Sequence, residues 1–516
     1  MLARLKSAAV LGIDAYLVDV ETDLSNGLPY FTTVGLPQGA VKEGKERVTA
    51  ALVNSGFEYP LRRITVNLAP ADVRKEGSGF DLAVALGILA ASEQIQAASL
   101  EGIVVLGELG LQGDLRPVRG ALPMAIAARS AGAREVILPA VNVAEAAVVE
   151  GLVVTGADSL LSVTRHLGGQ CLIAPATSQS LCFREASPND GVDFAEVRGQ
   201  LAAKRALEVA AAGAHNVLLI GPPGAGKTML ARRLPSILPA APLDEALEIT
   251  KVHSVAGLLP PGAALIRNRP FRAPHHTISD AGLVGGGSSP RPGEVSLAHG
   301  GVLFLDELPE FHRHVLEVLR QPLEDGVVTL SRAAARLTFP ARFTLIAAMN
   351  PCPCGQLGSR VHVCSCGRGL VERYHARISG PLLDRIDIHL RVPAVPYAEL
   401  GAETPGEPST AIRSRVEAAR ERQRERFRAR SGMHANAHMG SREVRRYCRQ
   451  TPEIAEILRT AVERLGLSAR GCHRVLKLSR TIADLAGTEG IESVHVREAI
   501  QYRALDRRMP SYAERP

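Results

Sequence analysis

The sequence has 516 residues, of which 46% are hydrophobic and 22% charged, a composition that excludes a mainly disordered chain. At about 150 residues per domain, this length predicts about three domains. Lys and Arg together number 60 against 53 Asp and Glu, and the net charge of +7 is only a weak indication of a nucleic-acid partner.

The start of the chain and the cysteines bear on where the protein works. A short apolar run follows basic residues near Met1, but Asp14 interrupts it, so we interpret this segment as a strand rather than a signal peptide. No uncharged apolar stretch approaches the roughly 20 residues of a membrane span. Eight cysteines, four of them within residues 352–366, do not form a secreted disulfide framework. We therefore expect a cytoplasmic protein with no membrane partner.

The predicted elements in chain order indicate a multidomain α/β protein. Residues 1–165 alternate short β-type runs with Ala-rich helical stretches. Residues 166–192 are polar and contain Pro and Ser, which predicts a linker. Residues 193–397 predict strands that end in reactive side chains, and residues 411–516 predict an Arg-rich helical domain. This last segment holds 23 basic and 13 acidic side chains, so the basic excess of the chain is confined to it.

A nucleotide-binding loop opens the second domain. The apolar strand 217–220 leads directly into a P-loop sequence, and a helix is predicted to follow. Glycines at this spacing allow backbone N–H groups to surround phosphates at a helix N-terminus. Lys227 is expected to reach the β- and γ-phosphates of ATP, and the hydroxyl of Thr228 to ligate Mg²⁺. The predicted ATP-binding residues are Gly221, Pro222, Pro223, Gly224, Ala225, Gly226, Lys227 and Thr228.

Two further strands are predicted to carry the remaining catalytic groups. The apolar run 301–305 ends in Asp306 and Glu307, which suit a magnesium ligand and the base that activates the attacking water. The strand 343–348 is followed by Asn350, which is placed to orient the same water. The residues alone therefore predict an ATP hydrolase that remodels some partner.

Longer strings of sequence resemble one family. They identify the chain as a member of the magnesium-chelatase-like AAA+ ATPases, and specifically of the ComM/YifB family. The strings are 193–200, 271–276 (Phe-Arg-Ala-Pro-His-His), 282–287, 349–355 (Met-Asn-Pro-Cys-Pro-Cys-Gly) and 379–387 (Ser-Gly-Pro-Leu-Leu-Asp-Arg-Ile-Asp). The resemblance covers essentially the whole chain. It implies a P-loop AAA+ core with a parallel sheet, a helical C-terminal lid and a homo-oligomeric ring, usually a hexamer.

The resemblance also implies roles for three single residues. Asn350 corresponds to the sensor-1 residue of the family, and Arg470 corresponds to the sensor-2 arginine of the lid. Arg385 corresponds to the arginine finger that enters the neighbouring subunit's site and neutralises charge on the γ-phosphate.

Two inserts would face the pore of such a ring. One spans residues 267–299, and the other is a hairpin over 327–339. In similar translocases such a hairpin binds nucleic-acid phosphates, so Arg332 and Arg336 are expected to contact DNA. A surface hairpin with incidental arginines is the alternative.

The family is linked to natural transformation, and the resemblance implies a DNA translocase or helicase that promotes branch migration and integration of incoming DNA. The DNA partner would be single-stranded or branched. Two other functions stay open: a magnesium-chelatase-type motor subunit and an AAA+ protein remodeller. Intact Lys227, Asp306 and Glu307 favour an active ATPase in each case.

Four cysteines predict a metal site beside Asn350. Cys352 and Cys354 form one C-x-C pair, and Cys364 and Cys366 form another. Four thiolates make a tetrahedral set that selects zinc over magnesium or calcium. His362 is a substitute ligand, and redox-active or simply reduced cysteines are the alternative to structural zinc.

The first domain resembles the peptidase domain of Lon-type proteases, which uses a Ser–Lys pair. Gly79 occupies the nucleophile position, Ser78 lies one residue early, and Leu122 stands where the lysine is expected. The sequence has no Lys between Lys75 and Lys204, so a serine here lacks the amine that would activate it. We expect no peptidase activity and interpret this degenerate domain as a scaffold or as a module that binds DNA or a partner.

The stretch 411–430 contains eight Arg and three Glu. Three Glu–Arg pairs at i,i+3 spacing predict a helix. A solvated, salt-bridged helix that joins the ATPase core to its lid is one interpretation, and direct DNA contact is the other.

Overall fold

The protein is described here from a computed structural model, in which residues 1–176, 191–260, 262–287, 290–331, 336–359, 362–394, 406–430 and 432–503 are placed.

The first part of the chain forms an α/β unit. Its strands are β1 (Leu2–Leu11), β2 (Asp14–Ser25), β3 (Tyr30–Val34), β4 (Arg63–Ala69), β5 (Ile103–Val105), β6 (Glu108–Leu109), β7 (Leu115–Arg116), β8 (Glu135–Pro139) and β9 (Val153–Ala157). Its helices are α1 (Ala40–Asn54), α2 (Asp81–Ala91), α3 (Ala121–Ser130), α4 (Val143–Ala146) and α5 (Leu160–Leu167). Seven strands form one sheet in the order β3-β4-β2-β1-β5-β8-β9. The strand predicted at the start of the chain is confirmed, and Asp14 begins its antiparallel partner β2.

Helix α2 forms the centre of this unit because all its residues are buried. It packs on β1 and β2, and Gly87 permits the close approach, since a Cβ added there would collide with the side chain of Thr22. Helix α2, which directly follows the degenerate peptidase segment at 75–79, therefore belongs to a well-packed core.

The second part of the chain is built on a parallel sheet. Its strands are β10 (Val217–Ile220), β11 (Phe271–Arg272), β12 (Gly285–Gly286), β13 (Arg291–Pro292), β14 (Val302–Leu305), β15 (Val327–Ser331), β16 (Arg336–Pro340), β17 (Thr344–Met349) and β18 (Ile388–Arg391). Its helices are α6 (Leu201–Gly213), α7 (Lys227–Ile237), α8 (Leu243–Ala256), α9 (Asp280–Val284), α10 (Glu294–Leu297), α11 (Arg313–Val318), α12 (Arg320–Asp325), α13 (Arg368–His375) and α14 (Gly380–Leu383). Five parallel strands pair in the order β11-β14-β17-β10-β18, which confirms the P-loop core with a parallel sheet.

The register of this sheet determines where the reactive side chains lie. Ile220 pairs with Met349, and Leu305 pairs with Ala347, so β10, β14 and β17 end at one edge. Because the carboxyl ends of parallel strands share an edge, the segments after these three strands form one site.

Helices dominate the last part of the chain. They are α15 (Ser409–Phe427), α16 (Ser441–Tyr447), α17 (Pro452–Leu465), α18 (Ala469–Ala486) and α19 (Ser493–Gln501). Helix α15 begins two residues before the predicted start at 411, where Phe194 N–H donates to Ser409 Oγ at 2.8 Å. Apolar residues of these helices share one core with β10 and α6, so the helical part is packed on the ATPase sheet.

The helix predicted over the Arg-rich stretch is confirmed as α15, but its description as solvated is wrong for the inward side. Arg420 is only 9% exposed, and its Nη2 donates to the Ala211 carbonyl at 2.9 Å. Arg426 Nη1 donates to Asp484 Oδ2 at 2.7 Å. These arginines stabilise the packing of α15 on the neighbouring helices, because their guanidinium groups donate hydrogen bonds to buried carbonyl and carboxylate oxygens.

Helix α8 connects the two α/β units. It packs on α3, and the Gly120 N–H donates to the Ser254 carbonyl at 3.1 Å. Ser254 Oγ donates to Glu145 Oε2 at 2.5 Å, and Lys251 Nζ lies 2.7 Å from Asp14 Oδ1. Among the placed residues, every helix is too short or too polar to cross a membrane.

Candidate nucleotide and metal sites

The P-loop lies between the buried strand β10 and helix α7. Gly224 and Gly226 have φ of 76° and 84°, in the left-handed region that favours glycine, and Gly226 is the residue that precedes α7. The first N–H groups of α7 have no partner within the helix, which is the arrangement that phosphate binding at a helix N-terminus uses.

Lys227 is the first residue of α7 and is only 8% exposed. Its Nζ donates to the Gly221 carbonyl at 2.7 Å, to the Pro222 carbonyl at 2.9 Å and to Asn350 Oδ1 at 3.1 Å. Burial lowers the pKa of Lys227, and the nearby carboxylates of Asp306 and Glu307 oppose that shift. The P-loop lysine and the predicted sensor-1 residue are therefore in direct contact.

Thr228 and Asp306 form the second contact of the site. Thr228 Oγ1 donates to Asp306 Oδ2 at 2.7 Å, which brings a residue of α7 against the end of β14. A hydroxyl and a carboxylate oxygen at this separation are the hard ligands that Mg²⁺ prefers, so the pair fits a magnesium site.

Glu307 has an unusual backbone conformation. Its φ of 52° and ψ of 47° place a non-glycine residue in the left-handed region, which costs of order 1–3 kcal/mol; Leu36, Glu93, Gln200 and Ala214 of this chain also have positive φ. Its side chain is 58% exposed and lines the same cleft as Thr228 and Asp306. The Glu307 side chain therefore lies at the cleft where a base for ATP hydrolysis is expected.

The structure adds His276, which reasoning from residue chemistry alone did not single out. Its Nδ1 lies 3.7 Å from Glu307 Oε2, and its ring lies 4.1 Å from the ring of His275. Both histidines line the cleft together with Arg232. The only sequence signal for them was the string at 271–276, which marked the family but assigned no role.

Arg385 lies at the opposite end of strand β10 from the P-loop. Its carbonyl accepts from Asn216 Nδ2 at 3.0 Å, and Asn216 directly precedes β10, whereas the P-loop directly follows it. The guanidinium donates to the Pro381 carbonyl at 2.8 Å and to the carboxylate of Glu324. Four strand residues span about 13 Å, so Arg385 is far from Lys227 of its own chain.

Arg470 lies at the start of α18, where its side chain is exposed. The hydrogen bond from Arg385 lowers the pKa of Glu324, and the charges of Arg470 and Arg474 lower it further. Arg474, four residues after Arg470 on α18, donates to Asp387 Oδ1 at 2.6 Å, and the Asp387 N–H donates to the Asn216 carbonyl at 3.0 Å. Both predicted γ-phosphate arginines therefore lie toward the end of β10 that is away from the P-loop of the same subunit.

The predicted pore hairpin is present as the antiparallel pair β15–β16. Arg336 begins β16, pairs with Ser331 in register, and has an exposed side chain. Arg332 lies outside the described residues.

The four predicted cysteines come together. Their four sulfur atoms all lie within 4.8 Å of one another: Cys352, Cys354, Cys364 and Cys366. The Cys352 sulfur is 3.4 Å from that of Cys354 and 3.6 Å from that of Cys364. Zinc with bonds of about 2.3 Å to four sulfurs places them about 3.8 Å apart, so the cluster fits a tetrahedral site. Within the described residues His362 is not part of the cluster, and its N–H donates to Ser359 Oγ.

Within the described part of the chain, Ser78 and Lys75 of the degenerate peptidase segment are not hydrogen-bonded to each other. Lys75 is fully buried, and its Nζ donates to the carbonyls of Pro70 and Val73. Ser78 Oγ donates to the carboxylate of Glu108 instead. Leu122, at the expected lysine position, is buried and apolar. The geometry therefore pairs the serine with an acid and the lysine with backbone oxygens.

Comparison with known proteins identifies the family. Models described as "Subunit ChlI of Mg-chelatase", "Magnesium chelatase, subunit ChlI" and "Magnesium chelatase, subunit ChlI C-terminal" match residues 20–142, 193–400 and 406–503. Competence protein ComM of Haemophilus influenzae is 47% identical over 520 residues, which cover 98% of this chain and 98% of that protein. The protein YifB of Salmonella typhimurium is 45% identical, again over 98% of each chain.

A third relative concerns a shorter stretch. Lon protease 2 of Bacillus subtilis is 34% identical over 154 residues, which cover 27% of this chain and 26% of that protein. This similarity is consistent with the expected Lon-like α/β unit. The chain belongs to the ComM/YifB family of magnesium-chelatase-like AAA+ ATPases.

Proposed function

We propose that the protein is a ring-shaped, ATP-driven DNA translocase that promotes branch migration while incoming DNA is integrated by recombination. The observation that carries this proposal is the 47% identity, over 98% of both chains, to a relative named as a competence protein. The grouping of Lys227, Thr228, Asp306, Glu307 and Asn350 at one sheet edge supports the ATP-driven part.

In this proposal Glu307 takes a proton from the water that attacks the γ-phosphate, and Asn350 orients that water. Lys227 binds the phosphate oxygens, and the N–H groups after Gly226 hold the rest of the triphosphate. Thr228 and Asp306 would hold Mg²⁺, which when bound neutralises negative charge on the phosphates.

The position of two arginines supports a ring. Arg385 lies at the end of β10 opposite to the P-loop of its own chain, and Arg470 lies one helical turn before Arg474, which binds Asp387 at that same end. In this proposal both arginines serve the ATP site of the next subunit. Their positive charges would stabilise the charge that develops as the γ-phosphate leaves. The proposed assembly is a closed ring, and a hexamer is the form we expect in this class.

DNA contact is assigned to the pore hairpin. Arg336 supports it as an exposed cation at the end of a two-stranded ribbon, and Arg332 is proposed with it from the sequence. The inward arginines of α15, such as Arg420, are excluded from this role, because carbonyl oxygens already use their donors.

The other parts of the proposal concern the remaining units. Cys352, Cys354, Cys364 and Cys366 bind one structural zinc ion, supported by the fit of their sulfur positions. Residues 1–165 act without peptidase activity, since Ser78 and Lys75 have separate partners. We further propose that the protein works in the cytoplasm, with 193–397 as the motor and 411–516 as its lid.

The test is ATP hydrolysis and strand exchange on defined DNA substrates, with Lys227→Ala and Glu307→Gln as controls. A magnesium-chelatase-type motor is the rival that the three family-model matches favour. It predicts hydrolysis that does not respond to DNA. Stimulation by forked or four-way DNA supports the translocase.

A further inference from the structure

The predicted zinc ligands begin beside the ATP site. Asn350 accepts a hydrogen bond from Lys227 Nζ at 3.1 Å, and Cys352 follows only two residues later. The side chain of Cys352 is buried, and the N–H of Leu357 donates to its sulfur at 3.3 Å. The first metal ligand is therefore attached to the sensor-1 position by a single intervening residue.

The other end of the cysteine segment returns to the same place. Cys364 and Cys366 precede α13, and His375, the last residue of α13, has its Nε2 2.9 Å from the Pro351 carbonyl. Pro351 is the residue between Asn350 and Cys352. A metal bound to all four sulfurs would thus close a loop whose two ends both meet at the segment that carries Asn350.

A second contact joins the cysteine segment to the P-loop itself. Gly355 has a φ of +78°, and its N–H donates to the Cys352 carbonyl at 2.9 Å. A Cβ added at Gly355 would lie 2.5 Å from Cδ and 2.7 Å from Cγ of Pro223. The segment therefore rests directly on the P-loop, with a separation that only glycine permits.

We propose that the metal held by Cys352, Cys354, Cys364 and Cys366 positions the ATP site. It keeps Gly355 against Pro223 and Asn350 against Lys227, so nucleotide affinity depends on metal occupancy. This inference rests on the proposed zinc and ATP sites and is independent of DNA activity. Asn350 and Lys227 contact the nucleotide, whereas the cysteines and Gly355 act through them as positioning residues.

The chain offers a matched pair of variants that separates contact from backbone strain. Gly355 and Gly358 both have a φ of +78°, so alanine strains the backbone equally at either position. The placed residues leave open space within 4 Å of a Cβ at Gly358, whereas Gly355 faces Pro223. Gly355→Ala thus differs from Gly358→Ala in the collision with the P-loop.

The experiment measures the Kd of a fluorescent N-methylanthraniloyl ATP and the zinc content per chain by mass spectrometry. We expect Gly358→Ala to bind the nucleotide as the wild type does. Gly355→Ala should keep about one zinc per chain but bind about tenfold more weakly, since overpacking must displace the P-loop. Equal affinities of the two variants would overturn the proposal.

Removal of the metal supplies the second arm. Cys354→Ser with Cys364→Ser should lose zinc and weaken nucleotide binding at least as much as Gly355→Ala, while far-UV circular dichroism stays unchanged. If this double variant does not fold, wild-type protein stripped of zinc by a chelator replaces it in the same binding assay. A folded, zinc-free variant with wild-type affinity contradicts the inference. Because the assay contains no DNA, a failure of the translocase proposal leaves its outcome unaffected.

Discussion

Lys227 and Arg385 lie at opposite ends of strand β10. Lys227 begins the helix after the P-loop, whereas the Arg385 carbonyl binds Asn216, the residue before the strand. One subunit therefore has its phosphate-binding lysine beyond one end of the strand and its predicted arginine finger at the other, where the Arg385 side chain is 11% exposed and bonded to Glu324. The proposed ring would therefore supply each ATP site with groups from two chains.

The first prediction tests this arrangement by subunit mixing. Arg385→Ala should lower ATP hydrolysis by about 10³-fold or more, because an arginine finger contributes 10³–10⁵ to kcat. Lys227→Ala should lower it at least as much, because the P-loop lysine binds the β- and γ-phosphates. Mixed in equal amounts, the two variants should regain part of the activity, since an intact lysine can meet an intact arginine. Arg464→Ala, an exposed arginine of α17, serves as the control and should behave as the wild type. No recovery on mixing would show that Arg385 acts within its own chain or only in folding.

The second prediction concerns His276. Its ring lies beside Glu307, so His276→Ala should leave the base less well held and lower kcat about tenfold with little change in KM for ATP. His276→Gln, which retains a polar group near the carboxylate, should recover part of kcat. Steady-state kinetics check this. A rise in KM with kcat unchanged would place His276 in ATP binding instead.

The third prediction uses the buried contact between α8 and the Lon-like unit. Ser254→Ala removes the donor that lies 2.5 Å from Glu145 Oε2 and leaves a buried carboxylate with one partner fewer. The expected loss of stability is about 1–3 kcal/mol. Urea unfolding of Ser254→Ala beside Ser414→Ala, an exposed serine of α15, measures it. Equal free energies of unfolding for the two variants would mean that the Ser254–Glu145 hydrogen bond does not stabilise the contact between α8 and the Lon-like unit.

The same contact gives a pH prediction. Burial raises the pKa of Glu145 above its usual 4.5, although hydrogen bonds from Ser254 and Asn142 oppose the shift. The Glu145 carboxyl therefore binds its proton more tightly in the folded protein than in the unfolded chain. The protonated carboxyl contributes to the free energy of unfolding at low pH, and this contribution is lost as pH rises from about 4.5 through the raised pKa. Glu145→Gln should remove this part of the pH dependence of Tm. Parallel Tm–pH curves for the two proteins would contradict the assignment.

The ATP site was predictable from sequence because its residues are tied to local patterns. Lys227 follows a strand and a glycine loop, and Asp306 ends an apolar run, so strand polarity alone brings them together. The cysteines were predictable by spacing, since four sulfurs within 15 residues can meet through short loops.

The remaining features depend on contacts between distant segments. Arg420 is buried against the Ala211 carbonyl, 209 residues away, and nothing in the Arg-rich pattern of α15 marks that residue as internal. His276 meets Glu307 only because β11 and β14 are neighbours in the sheet. The roles of Arg385 and Arg470 came from family resemblance, and their common end of the sheet became visible only in the contacts of Arg385 with Asn216 and of Arg474 with Asp387.

The most direct measurement of the central proposal is ATP-dependent branch migration of a four-way DNA junction, followed together with ATP hydrolysis. The proposal predicts that junction DNA stimulates hydrolysis by the wild-type protein and that the arms are exchanged. Lys227→Ala should do neither, and Glu307→Gln should bind ATP without hydrolysing it or moving the junction. If the wild-type protein hydrolyses ATP but junction and forked DNA neither raise the rate nor are remodelled, the DNA translocase proposal is wrong.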